Sequence, residues 1–166
     1  MTAMASDVAD LDALPRDAAV RQFLSVCHSR RWAESMADAR PFGDLAQLTR
    51  MADTLWLGLG PGDWLEALAG HPRIGERGGA AEEHSRREQA GMQEASDAVR
   101  AAIAAGNRQY EERFGHVFLI SAAGRRPEEI LSALTRRLDN TPEEEVRVAA
   151  EEHRRITRLR LERMLG

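Results

Sequence analysis

The run Val117-Phe118-Leu119-Ile120-Ser121 has the composition of a β-strand, yet no comparable run elsewhere in the chain could pair with it. A strand without neighbours is not stable in water. The rest of the chain is rich in alanine and poor in aromatic and β-branched residues, which favours helix. The expected fold is therefore all-α: a single-domain bundle of about seven helices read from 3- and 4-residue apolar spacings. Residues near 117–122 become an extended buried segment, whose backbone N–H and C=O groups need partners other than a sheet.

Local signals place the helices. Pro15 to about His28 carries Val20, Phe23, Leu24 and Cys27 at helical spacing. Ser29 is a candidate cap for a second helix through Trp32 and Met36, and Asp44 for a third through Leu45, Leu48, Met51 and Leu55. Asp63 begins a short helix that stops at Gly70. Beyond the Gly-rich stretch 75–79, the apolar positions Ala81, Met92, Ala95, Val99 and Ile103 predict one long central helix, ended by Gly106-Asn107. Pro127 opens another helix. Thr141-Pro142-Glu143-Glu144 combines an N-cap, a proline at the first helical position and a capping-box glutamate, starting a helix that runs to Leu165. With no linker or repeat in view, residues 1–166 read as one domain, with residues 1–12 flexible.

Polar residues on apolar faces mark the candidate site. In His71-Pro72-Arg73-Ile74-Gly75-Glu76, Pro72 forbids helix continuation and holds His71 on a loop at a helix exit. Histidine is the side chain best suited to moving protons near neutral pH. On the final helix, at about 100° per residue, His153 and Arg160 fall at the centre of the face that carries Val146, Ala149, Ala150, Ile156, Leu161 and Met164. A guanidinium there is costly unless paired. It is either a structural ion pair, a side chain snorkelling at the helix end, or a receiver for a planar anion. On the central helix, Ser85 and Glu88 fall within the apolar stripe, with Gln89 on its flank. Facing inward in a bundle, these groups make a pocket with an acid/base, a carboxylate, an amide and a cation.

Composition removes other classes. A net charge of -4 gives no support to nucleic-acid binding. No apolar run approaches the roughly 18–20 residues that span a bilayer. The N-terminal stretch lacks the basic-then-apolar order of a signal peptide, so the cytosol is the expected compartment. Cys27 is the only cysteine, which excludes an intrachain disulfide and a thiolate zinc cluster. All 23 basic residues are arginine, which excludes a Schiff-base lysine and a Walker P-loop. His71, His84 and Glu88 could in principle bind zinc, but nothing in their spacing favours it, and no Glu-x-x-His, His-Glu-x-x-His or dinucleotide fingerprint is present. No metal and no cofactor are expected.

Taken in order, His71-Pro72-Arg73-Ile74-Gly75-Glu76, Ser85-x-x-Glu88-Gln89-Ala90-Gly91 and Tyr110-x-x-x-Phe114-Gly115-x-x-Phe118-x-Ile120 resemble the 2-oxo-4-hydroxy-4-carboxy-5-ureidoimidazoline (OHCU) decarboxylase family. The resemblance continues through Ile130, Leu134, Arg137-Leu138, Asn140 and Glu145 to Ile156-x-x-Leu159-Arg160-Leu161, and upstream through Phe23, Trp32 and Arg40-Pro41-Phe42. It implies an all-helical, cofactor-free carboxy-lyase of urate catabolism, a homodimer that produces S-allantoin. It also implies His71 as the catalytic residue with Glu88 as its partner. Pro72, Ser85, Gln89 and Arg160 would line the substrate site, with Phe118, Ile120 and Ser121 on the segment that contacts the ring. Two alternatives stand beside this: a helical binding or scaffold module, and a decarboxylase or hydrolase of a related ureido compound.

Overall fold

A computed structural model describes residues 4–75 and 87–166. Its helices are α1 (Val8–Ala13), α2 (Arg16–Val26), α3 (Arg30–Asp38), α4 (Leu45–Leu57), α5 (Pro61–Leu68), α6 (Asp97–Phe114), α7 (Pro127–Arg137) and α8 (Pro142–Leu165), with a 3-10 turn at Ala90–Glu94. No strand occurs among the described residues, and none of their helices is long and apolar enough to cross a membrane. The all-α expectation holds. The chain divides into two compact units: residues 1–67 with 154–166, and residues 68–153.

In the first unit, α2 lies against α3 and α3 against α4. The core is built on Leu11, Phe23, Val26, Trp32, Met36, Leu48, Trp56, Ile156 and Leu161, all fully or almost fully buried. Phe23 meets Trp32 edge-on at 5.6 Å and Phe42 at 6.4 Å, the geometry that ring quadrupoles favour. The indole N–H of Trp32 donates to the Ala52 carbonyl at 3.1 Å, so the buried ring leaves no orphan donor. The expected caps form: Ser29 accepts from the Trp32 amide and Asp44 from the Gln47 amide. Residues 8–12, expected to be flexible, instead form most of α1. Asp7 caps this helix, Leu11 is fully buried, and the Asp12 carboxylate accepts the amides of Phe42 and Gly43.

The second unit is built around α6 against α7, with the 3-10 turn also on α7. Its core joins Ile74, Met92, Ile103, Tyr110, Phe118, Ile120, Ala122, Ile130, Ala133 and Leu134. One expectation here is corrected. The central helix does not run through to Ala105 and end there. The chain is extended at Ala95, and Ser96 caps a new helix by accepting from the Val99 amide. Gly106-Asn107 does not stop α6, which continues to Phe114 and closes on Gly115 in the left-handed conformation at φ 79°. Gly106 serves close packing, because a Cβ there would stand 2.6 Å from Leu134 Cδ2. The Gly-rich stretch 76–79, the start of the expected helix at Ala81, and the candidate Ser85 lie outside the described residues.

At Thr141 the capping box closes as expected. The Glu144 amide donates to Thr141 Oγ1 at 3.2 Å, and the Thr141 amide donates to Glu144 Oε2 at 2.9 Å. Residues 117–122 are extended without ladder partners, as the composition requires, and take side-chain partners instead.

Candidate functional site

His71 leaves α5 with its amide donating to the Leu68 carbonyl at 3.1 Å and its side chain buried. The loop behind it is anchored at Arg73, Ile74 and Gly75. Arg73 Nε donates to both carboxylate oxygens of Glu111 at 2.9 and 3.0 Å. The Ile74 carbonyl accepts from Asn107 Nδ2 at 3.2 Å, and the Ile74 side chain enters the core. Gly75, at φ 82°, donates its amide to Gln89 Oε1 at 2.9 Å. A side chain at that φ would be strained, which is why glycine follows Ile74. Gln89, read from the sequence as a substrate-site residue, thus commits its carboxamide oxygen to the His71 loop.

The His71 ring meets the His153 ring edge-on, centroids 4.9 Å apart and planes at 86°. His153 is fully buried. The wheel places it at the centre of its helix face, but only the fold places it against His71. Glu88 is buried in the same unit, just before the 3-10 turn. Pro72, Gln89, Phe118, Ile120 and Ser121 belong to this unit as well, whereas Arg160 belongs to the first. There Arg160 is fully buried and donates Nη1 to the Val26 carbonyl at 3.0 Å, which removes the snorkelling reading. Beside it Cys27 is fully buried, and burial pushes its thiol up from 9.0 to about 12.

One cluster was not singled out from the sequence as a site. Glu145, fully buried, accepts from Tyr110 Oη at 2.5 Å, Arg137 Nε at 2.8 Å and Asn140 Nδ2 at 2.9 Å. Burial, then the hydrogen bond to Glu145, raise the Tyr110 phenol far above its ordinary value, so it is a donor throughout the working pH range. The Arg137 guanidinium lies over the Phe118 ring at 4.5 Å and donates Nη1 to the Leu119 carbonyl at 2.7 Å. A buried ion pair is tolerable only with this degree of satisfaction. A cavity of about 360 Å³ is lined by Arg73, Ile74, Gly75, Met92, Ile103 and Asn107, and none of the described residues predicted for the site lines it.

These features define an all-helical scaffold, and solved structures share the fold. The crystal structure of an OHCU decarboxylase in the presence of (S)-allantoin matches with a TM-score of 0.74 at 30% identity, covering 84% of this chain and 94% of that one. A crystal structure of (S)-allantoin synthase matches with a TM-score of 0.76 over 98% of this chain and 54% of that one; at 21% identity it bears on the fold alone. The sequence profile of the OHCU decarboxylase family matches residues 12–162, and the chain belongs to that family. A 2-oxo-4-hydroxy-4-carboxy-5-ureidoimidazoline decarboxylase of Haloferax volcanii is 30% identical over 81% of this chain and 80% of its own length. The uric acid degradation bifunctional protein of Arabidopsis thaliana is 31% identical over 84% of this chain. The chain spans 45% of that protein's length, and 27% of its Bacillus subtilis counterpart.

Proposed function

We propose that this protein decarboxylates OHCU to S-allantoin, with His71 exchanging a proton with the substrate and Glu88 assisting it. The observation that carries the reading is the holding of His71. It is buried at a helix exit, edge-on to His153, on a loop in which Arg73, Ile74 and Gly75 are each anchored by hydrogen bonds to α6 or Gln89. A general acid/base is effective when its geometry is set before substrate arrives. Family membership and the likeness to an OHCU decarboxylase support the substrate class.

OHCU carries its carboxylate on a ring carbon that also bears a hydroxyl. When carbon dioxide leaves, the electron pair of the broken bond passes into the conjugated ring, which holds it until a proton arrives. His71 works on the hydroxyl proton and promotes departure of the carboxylate. Backbone N–H groups near Ile120 hold the developing charge. Pro72 shapes the site beside His71, and Arg160 receives anionic substrate through its planar fork. The reaction proceeds without metal or cofactor, in a cytosolic homodimer. Spontaneous decay of OHCU is racemic, so control of the protonated face is as much the task as rate.

Circular dichroism tests this. OHCU is generated in situ from hydroxyisourate, with and without the protein, and allantoin handedness is followed. A rapid S-allantoin signal, lost in a folded His71→Asn variant, is expected. A slow racemic outcome identical to the blank, or near-wild-type turnover in His71→Asn, overturns the reading.

A further inference from the structure

The hydrogen bonds along the His71 loop hold backbone, not the catalytic ring. The His71 amide donates to the Leu68 carbonyl, and the loop is tied down again at Arg73, Ile74 and Gly75. Pro72 restricts the backbone of His71 itself. None of these contacts acts on the His71 side chain. A histidine ring turns about a broad, roughly two-fold torsion, so a fixed Cα does not fix where the two ring nitrogens point. A group that exchanges a proton needs that direction set as well as its place.

His153 supplies such a constraint. Its ring meets that of His71 with centroids 4.9 Å apart and planes at 86°, within the range of edge-to-face ring pairs. Turning the His71 ring out of this setting must displace or clash with its neighbour. His153 has little freedom to give way, since it is fully buried on the long helix α8. A helical backbone limits its first torsion and leans the side chain over the preceding turn. On that turn stand Ala149 and Ala150, both buried, whose methyls are short enough to leave room for a second ring.

We infer that His153 is a positioning residue for the reaction: its ring holds the plane of the His71 imidazole, and with it the direction of the nitrogen that exchanges the substrate's proton. This rests on the function proposed above, and it gives His153 no direct part in the chemistry. What acts is the flat ring. An aromatic carbon ring therefore serves in its place, and an aliphatic side chain of similar bulk does not.

The test compares His153→Leu, His153→Met and His153→Phe, reading kcat, KM and melting temperature. In His153→Leu, kcat falls by about 100-fold, the scale of misplacing a reacting group. KM changes little, because the interaction lost is one that matters in the transition state. In His153→Phe, which keeps a flat ring on the same face, kcat stays within about 10-fold of wild type. His153→Met fills the space without a plane, follows the leucine variant, and carries the test if that variant does not fold. Folded leucine or methionine variants with wild-type kcat, whatever their melting temperature, mean a packing role only and overturn the proposal. A phenylalanine variant as impaired as the aliphatic ones overturns it too. Absence of S-allantoin formation by the wild-type protein overturns the functional reading instead.

Discussion

Gly106→Ala separates two opposed effects and probes the contact on which the α6–α7 arrangement rests. By helix propensity alone, replacing an interior glycine with alanine stabilises by about 1 kcal/mol. The neighbourhood opposes this. A Cβ at residue 106 would lie 2.6 Å from Leu134 Cδ2, 3.1 Å from its Cγ and 3.9 Å from its Cδ1. Comfortable carbon contacts are about 3.5–4.0 Å, so the first is close to an ångström too short. Leu134 is fully buried, and a swing of its methyls leaves the Cγ contact in place, so the helices must separate slightly. Overpacking of this kind costs about 1–3 kcal/mol, which leaves a net destabilisation of about 1 kcal/mol. For a chain of this size the melting temperature falls by about 2–4 °C per kcal/mol. Urea denaturation followed by far-ultraviolet circular dichroism measures it. The background Leu134→Ala, itself costing about 2–5 kcal/mol, makes room for the new methyl. In that background Gly106→Ala becomes neutral or stabilising. A Gly106→Ala protein more stable than wild type would refute the packing argument.

Cys27 resists alkylation in the folded protein near pH 9.0, where the denatured chain reacts readily, because burial raises its thiol to about 12. The folded state holds a proton that the unfolded chain releases above 9.0. The thiol's contribution to stability is therefore intact below pH 9.0 and declines as pH rises towards about 12. Equal alkylation rates for folded and denatured protein would contradict this. Arg160→Lys keeps the charge and loses the fork, so KM rises by about 10-fold or more while kcat changes less; an unaltered KM would assign Arg160 to structure. Thr141→Ala removes the acceptor for the Glu144 amide and lowers stability by about 1 kcal/mol, read as a shifted urea midpoint with unchanged slope.

Signals that act within one turn were legible from residue order. Ser29, Asp44 and Thr141 cap helices because each side chain needs only to reach an amide three residues ahead. The same logic was available at Ser96, followed by Asp97 and Val99. An apolar spacing continuous from Met92 to Ile103 masked it, and the break at Ala95 was missed. Gly106-Asn107 looked like a helix stop. In the fold its two residues answer to distant partners: Leu134 fills the space above Gly106, and Asn107 reaches the Ile74 carbonyl.

Composition and periodicity thus sufficed for an all-helical chain, for a histidine held at a helix exit, and for an unpaired extended segment in need of partners. These follow from backbone sterics, capping and the pairing needs of a strand, all local or compositional. Which partners that segment finds was not legible, because Tyr110 and Glu145 are 35 residues apart and Arg137 lies 18 from Leu119. Nor was the contact of His153 with His71, residues on separate elements. Such pairings carry no periodic signal: the cost of burying a charge or a backbone donor is settled only when three-dimensional packing decides which group stands opposite it.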